Sequence, residues 1–428
     1  MAVTSERPHA TTSSDGTQRQ VRYGDLTLYS AFQPIFSLSH MRAAGYEALL
    51  RAHNSLDASV SPLDVFGRAA RLGDLLELDR LAQSLHLENF RNLHCDREWL
   101  FVHIHPAALA DQWQCAALLS ELRRLGLKPQ RIVLEVSDRQ AADLRKLAEG
   151  VRIFRQYGFL IALDDFGAGH SNLDRIWQLD PDIVKLDRNI VFHASQRAQV
   201  ARVLPGLISL LHEAGKLVLI EGIETEREAL LAMEGDADFV QGSYFSRPAA
   251  APVDTHTSGT VLQTLFEAYR EKTERAERKR HLRLAPYVRA LEGAAAKLAA
   301  GEALDQVCWN FLSLEDAQRC YLLDSHGRQI GGNVISHTRP SPREARFLPV
   351  SDAHGASWLR RPYFRGALNE PGRVHATRPY LSITEASVCV TLSMATMIGT
   401  EQCVLCGDVD WEPRQPTDLT DLPTSPEA

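Results

Sequence analysis

The sequence predicts an α/β fold: an irregular, TIM-like (β/α)8 barrel with an antiparallel first strand, then a long helix and a smaller α+β domain. Three observations lead there. First, eight strand-like runs alternate with amphipathic segments between Val21 and Pro248, over about 230 residues, which suits a (β/α)8 barrel. A doubly wound open sheet is the main competitor. Second, only the short stretch "SHMRAAG" separates "FQPIFSL" from "GYEALLR". A parallel crossover needs about a dozen residues or more, so these two strands should form an antiparallel hairpin. Third, the alternation stops after Pro248.

The strand candidates, in order, are "AFQPIFSL", "GYEALLR", "LFVHIHP", "RIVLEVSD", "LIALDDFG", "DIVKLD", "LVLIEGIE" and "DFVQGSYF". Segments such as "AADLRKLAEGVRIFRQYG" and "RAQVARVLPGLISLLHEAG" supply helices between them. A long helix is expected over residues 259–300, with Leu262, Leu265, Phe266 and Tyr269 as its early apolar stripe. Its charged middle, "REKTERAERKRHLR", reads as a solvated face. Pro286 should kink or divide it. Further on, "CYLLDSHGRQIGG" reads as strand, turn and strand, with "DSHG" as the turn. "ASVCVTLSMATMI" and "QCVLCGDVDW" read as further strands. The expected division is a disordered 1–20, a barrel at 21–250, a helical linker at 251–301, a small domain at 302–412 and a disordered tail at 413–428.

Composition narrows the function classes. The chain has 428 residues, 44% of them hydrophobic, and a net charge of −7. That charge gives no general reason to expect a nucleic-acid polymer or a membrane surface as partner. No apolar run reaches the roughly 18–20 residues needed to span a bilayer. The opening "MAVTSERPHATTSSDGTQRQ" lacks an apolar signal core. Seven scattered cysteines point to a reduced, cytoplasmic protein. The pair in "CVLC", Cys403 and Cys406, lies in a strand, where residues three apart point to opposite faces. This argues against a shared metal or redox role.

Acidic residues recur at the strand ends. Glu47 interrupts an apolar strand, Glu135 ends "RIVLE", Asp164 and Asp165 end "LIALDD", and Glu221 ends "LVLIE" with Glu224 just after. In a barrel these ends converge on one mouth, where active sites lie. Gathered carboxylates need compensating charge, which divalent cations with oxygen ligands supply. Lys185, in "DIVKLD", adds one positive charge. Each acid alone could be a helix cap, a turn residue or an ion-pair partner, so the set is more specific than its members.

The motifs "EALLR", "LEVSD", "DDFGAGHSNL", "VKLD", "EGIET" and "QGSYFSRP", in this order, resemble the EAL family of cyclic di-GMP phosphodiesterases over residues 21–250. Glu47-Ala48-Leu49 matches the motif that names the family. The resemblance implies hydrolysis of cyclic di-GMP to linear pGpG with Mg²⁺ or Mn²⁺, two ions per site. It implies that Glu47, Glu135, Asp164 and Glu221 bind metal, with Asp165 associated with a second ion. Lys185 matches the lysine that steadies the attacking water, and Gln241 the glutamine facing that water. Glu224 matches the anchor of the loop after the aspartate pair, where Ala168 stands in place of a frequent Thr or Ser. Gln33, Leu49 and Arg51 match substrate-contacting positions. The C-terminal region resembles, through "RPYFRGAL" and "CVTLS", the PAS-like domain that follows some EAL barrels. It implies a regulatory input with an unknown ligand or protein partner, and the expected assembly is a homodimer.

One residue departs from the family. His103, in "LFVHIHP", stands where an Asn metal ligand is usual. An imidazole can ligate divalent metals but suits softer ones than Mg²⁺. Its bulk and charge could equally displace a metal. Three readings therefore stand: an active phosphodiesterase, a degenerate receptor that binds cyclic di-GMP without cutting it, and a dimeric scaffold that binds no nucleotide. Retention of Arg51 and the full acid set disfavours the scaffold. No "GGDEF"-like stretch accompanies the barrel.

Overall fold

A computed structural model of the chain describes residues 10–11, 18–93, 95, 97–109, 111–137, 143–169, 173–250, 255–336, 347–350, 352–384 and 386–411. The tail 413–428 and most of 1–20, both expected to be disordered, lie outside these residues. So do Asp138 of "LEVSD" and His170, Ser171 and Asn172 of "DDFGAGHSNL". The chain divides into two compact units, Met1–Thr273 and Glu274–Ala428.

The first unit opens with strands β1 (Ala10–Thr11), β2 (Gln20–Tyr23), β3 (Leu26–Ser37), β4 (Arg42–His53) and β5 (Ser59–Val60). Helices α1 (Pro62–Leu72) and α2 (Leu75–Asn92) follow, then β6 (Trp99–His103), α3 (Pro106–Leu109) and α4 (Gln112–Leu125). Next come β7 (Ile132–Ser137), α5 (Leu144–Gln156), β8 (Leu160–Phe166), α6 (Leu173–Leu179) and β9 (Ile183–Leu186). The unit continues with α7 (Arg188–Gln196), α8 (Ala198–Glu213), β10 (Leu217–Ile220), α9 (Glu226–Glu234) and β11 (Phe239–Val240).

Eight of these strands close a barrel in the order β3-β11-β10-β9-β8-β7-β6-β4 and back to β3. The hairpin expected from the short first connection is present, with Gln33 opposite Glu47. β3 also runs antiparallel to β11, while the remaining neighbours are parallel. β11 is shorter than "DFVQGSYF" suggested. Past Val240 the chain turns away and passes so close to Ile223 that a Cβ on Gly242 would sit 2.0 Å from the Ile223 carbonyl oxygen. Only glycine permits that approach, and it lets Ile223 N–H donate to the Gln241 carbonyl at 3.0 Å.

Local chemistry sets the helix limits. Ser61 caps α1, with Pro62 at the first helical position and Gly73 at φ +82° ending it. Thr225 and Glu228 form a capping box at α9. The parallel strands are buried on both faces. On β7, Ile132 and Leu134 pack outward in the main core. Val133 points inward, joining Phe101, Ala162, Ile183 and Leu219 in an apolar layer that fills the barrel.

His86 on α2 is buried beside Ser30, 2.9 Å from its hydroxyl. Burial, aided by the positive charges of His103 and Arg51, pushes its imidazole down to about 3. A folded value below the unfolded one means that His86 stabilises the fold fully above about pH 6.5. That contribution is lost as pH falls towards 3, at up to about 1.4 kcal/mol per pH unit. His86→Gln should therefore flatten the acid limb of a plot of melting temperature against pH. Parallel limbs for the two proteins would show that His86 is not buried neutral.

The long helix α10 runs over Thr255–Ala299 without division. Pro286 lies inside it but does not end it. The carbonyl that loses its donor belongs to Leu282, which is exposed (67%), so water can replace the missing bond. Leu262 and Leu265 belong to the core of the first unit, whereas Leu284, Tyr287 and Leu291 belong to that of the second. No helix among the described residues is long and apolar enough to cross a membrane.

The second unit is α+β. It holds α11 (Leu304–Val307), α12 (Trp309–Leu312), β12 (Ala317–Leu323), β13 (Gln329–Ile335) and α13 (Pro362–Asn369). Strands β14 (His375–Ala376), β15 (Tyr380–Leu381), β16 (Val388–Ile398) and β17 (Glu401–Asp410) complete it. Its sheet runs β13-β12-β17-β16-β14, with β15 also on β16. The expected turn is there: Gly327, at φ +77°, donates to the Asp324 carbonyl at 3.0 Å. Cys403 packs in the cluster containing α12 and α10 residues, and Cys406 in the one containing α13 residues. They lie on opposite faces of β17, as the strand period requires.

Candidate active site: a carboxylate cluster at the barrel mouth

The apolar layer inside the barrel fixes where the functional side chains fall. Side chains two residues apart in a strand share a face. Two residues beyond Phe101, Val133, Ala162, Ile183, Leu219 and Phe239 come His103, Glu135, Asp164, Lys185, Glu221 and Gln241. On the antiparallel β3 the step runs backwards, from Ile35 to Gln33. One layer of hydrophobic side chains thus carries one layer of polar ones above it.

Lys185 is the hub. It is fully buried, with Nζ 2.7 Å from Glu135, 2.9 Å from Asp164, 3.3 Å from Glu221 and 3.4 Å from Glu47. Burial alone would lower its pKa, but these carboxylates hold it well above the usual lysine value. His103, half exposed (48%), places Nε2 3.0 Å from Glu47 and 3.3 Å from Glu135, and Nδ1 3.8 Å from Asp164. Crowding by protein atoms would lower this imidazole too, yet the carboxylates Glu135, Glu47 and Asp164 raise it to about 10. Glu47 is pulled the other way. Burial would raise it, but Lys185 and His103 hold it well below the ordinary carboxylate range. Gln241 Nε2 donates to Glu47 and, at 3.2 Å, to Gln33 Oε1. Gln33 in turn donates to the Ser246 carbonyl at 3.1 Å.

Asp164 and Asp165 are consecutive, so a regular strand would send them to opposite faces. The β8–β9 ladder instead slips between Leu163 and Phe166, and Asp165 adopts φ +59°. This bulge re-aims the chain and brings ligand atoms of Asp164, Asp165 and Glu221 within 4.8 Å of one another. Glu47, His103 and Glu135 form a second such group.

The donor set fits divalent cations. Neither Glu135 oxygen nor Asp164 Oδ1 receives a directed hydrogen bond, although all are buried. Positive charge is also short: five carboxylates face one lysine and one histidine. Burial, against the pull of Lys185, raises Glu135 to about 7 and Glu221 to about 8. Hard cations relieve such crowding.

The structure brings together Glu47, His103, Glu135, Asp164, Asp165, Lys185, Glu221, Gln241 and Gln33. Leu49 and Arg51 share the inward face of β4 with Glu47, further along the strand, and Arg51 donates to the Leu50 carbonyl at 2.9 Å. Glu224 is exposed, its backbone N–H given to Glu228 at 2.9 Å. Its expected loop partners include residues outside those described. Sequence reasoning missed Asp79 and Gln83 on α2, which touch the end of β6. The signal was available: Asp79, Gln83, His86 and Asn89 form a buried polar stripe at helical spacing.

A profile described as the EAL domain matches residues 17–248. An uncharacterized EAL-domain containing protein of Bacillus subtilis, YkuI, is 24% identical over 343 residues, 78% of this chain and 82% of YkuI. The Escherichia coli protein PdeB, named a probable cyclic di-GMP phosphodiesterase, is 27% identical over 225 residues; the chain spans 42% of it. The crystal structure of YkuI in complex with substrate c-di-GMP and calcium superposes with a TM-score of 0.75 at 22% identity. The match covers 90% of this chain and 97% of that one, and the likeness is one of fold.

Proposed function

The chain belongs to the EAL domain family, and from that membership we propose that its barrel hydrolyses cyclic di-GMP to linear pGpG. The observation that carries this reading is the convergence on one mouth of Lys185 and six side chains able to ligate metal. Glu47, His103 and Glu135 would hold one divalent ion, and Asp164, Asp165 and Glu221 a second. Bound Mg²⁺ or Mn²⁺ would polarise the phosphodiester and lower the pKa of water near it.

The chain's own residues do the rest. Lys185 keeps four carboxylates at fixed spacing and offsets part of their repulsion of an anionic substrate. Gln241 commits Nε2 to Glu47 and Gln33, which leaves Oε1, buried and without a partner, to accept from the attacking water. Gln33, Leu49 and Arg51, along β3 and β4, would contact the dinucleotide. We assign Glu224 to anchoring the loop after the aspartates. The division into a catalytic barrel (21–250), a helical linker (251–301) and a PAS-like regulatory domain (302–412) with its own ligand or partner belongs to the same proposal. So do a cytoplasmic location and a homodimer.

A second reading is favoured by one observation. The His103 ring lies among three carboxylates that would otherwise face a cation. On that reading the barrel is a receptor that binds cyclic di-GMP without cutting it. Incubating the purified protein with cyclic di-GMP and Mg²⁺ or Mn²⁺, then separating the products, tests both. Appearance of pGpG supports the enzyme; intact, bound dinucleotide supports the receptor.

Arg51→Ala should weaken cyclic di-GMP binding by about 10- to 100-fold, the weight of a charge-assisted contact to phosphate. Metal affinity should stay unchanged, because Arg51 lies outside the cluster. Calorimetry with each ligand checks this, and an unaltered nucleotide affinity removes Arg51 from the substrate site.

A further inference from the structure

The polar stripe on α2 reaches the candidate site through the backbone. Asp79 and Gln83 are four residues apart, so they stand one above the other on the helix, and both are buried. Gln83 Nε2 donates to the His103 carbonyl at 3.2 Å and to Asp79 Oδ2 at 2.8 Å. The same aspartate oxygen accepts the His105 N–H at 3.1 Å. The two polar groups therefore grip the chain where β6 ends, on the two peptides that flank Ile104.

We propose that Asp79 and Gln83 are positioning residues that orient the His103 imidazole within the carboxylate cluster. They thereby set how tightly that cluster holds a divalent cation. The inference rests on the reading of the cluster as a metal centre.

Three features support it. The His103 ring is half exposed, so packing does not lock it, and its direction follows the backbone at the strand end. The carboxylates surround it on several sides without selecting one ring nitrogen: Nε2 faces Glu47 and Glu135, and Nδ1 faces Asp164. Finally, an apolar residue at position 79 would pack against the barrel more cheaply than a buried carboxyl, which burial raises to about 6. A site needs such supporting contacts to hold its ligands to a fraction of an ångström.

The test uses the full chain with ¹⁵N-labelled histidine. Asp79→Leu and Gln83→Met remove the polar atoms at similar volume, whereas Asp79→Asn can keep an oxygen at the shared acceptor position. In metal-free protein, Asp79→Leu and Gln83→Met should each shift the His103 ring resonances. By calorimetry each should weaken Mn²⁺ binding about 10-fold or more, while Asp79→Asn stays close to wild type. Gln83→Met should add nothing in a His103→Ala background. Unmoved ring resonances overturn the proposal. So does an Mn²⁺ loss of equal size with or without the His103 side chain, which marks general loosening. If Asp79→Leu does not fold, Gln83→Met carries the test. Wild-type protein that takes up no Mn²⁺ defeats the metal-centre reading instead, and the ring resonances then decide the positioning role alone.

Discussion

Glu47→Ala is expected to abolish metal-dependent cleavage of cyclic di-GMP, by about 10³-fold or more, in a barrel that still folds. Glu47 is the carboxylate that His103, Lys185 and Gln241 all contact. Removing it takes a carboxylate from one candidate metal group and releases Gln241 from one of its two partners. Folding should survive, because Lys185 keeps Glu135, Asp164 and Glu221 as partners, and the apolar layer below is untouched. Product separation measures the loss, and circular dichroism checks the fold. Turnover at the wild-type rate with a normal spectrum would exclude Glu47 from the chemistry.

His103→Asn should change metal preference and pH dependence together. The histidine's pKa is raised to about 10 by the carboxylates around it, so near neutral pH a metal must displace its proton. Wild-type Mn²⁺ affinity should therefore climb by up to about tenfold per pH unit between pH 6.5 and 9. The asparagine variant should lack that component and bind Mg²⁺ relatively better, since imidazole favours transition metals. The sign reverses for the metal-free fold. A value raised above the unfolded one stabilises fully below about pH 6.5, and the contribution disappears as pH rises through 10. Metal-free His103→Asn should thus melt below wild type at neutral pH and converge with it near pH 10. If His103 instead blocks the site, His103→Asn switches hydrolysis on. Coincident profiles for both proteins in both metals would place His103 outside the metal shell.

Much of this barrel was readable because its strands are short, apolar and interrupted by charge at a fixed place. Glu135, Lys185 and Glu221 each follow a hydrophobic run, and the short connection before Gly45 announced the antiparallel β3. The bulge at Asp164–Asp165 was not readable, because a doublet before "FG" looks the same whether it turns or slips register. Pro286 does not divide α10, one of the two outcomes the sequence left open. A proline removes one bond, but the rest of a 45-residue helix remains. The polar stripe that holds Asp79 and Gln83 is visible at helical spacing on α2, but its contact with β6 is not. Periodicity alone cannot say that a polar residue on that face meets a strand end.

The closing seam of the barrel also sets a timetable. β4 follows β3 directly and can pair with it early, and β2 already covers Leu26–Leu28 on the other edge. The rest of that edge must wait for β11 and for the Phe32–Ala249 bonds. About 200 residues separate them, and at roughly 5–20 residues per second synthesis of that stretch takes on the order of 10–40 s. During that interval β3 offers the edge beyond Leu28 unpaired to any neighbouring chain. Glu47 and Gln241 meet only when the seam closes, so the nascent protein cannot assemble its full polar cluster before nearly all of the barrel has been made.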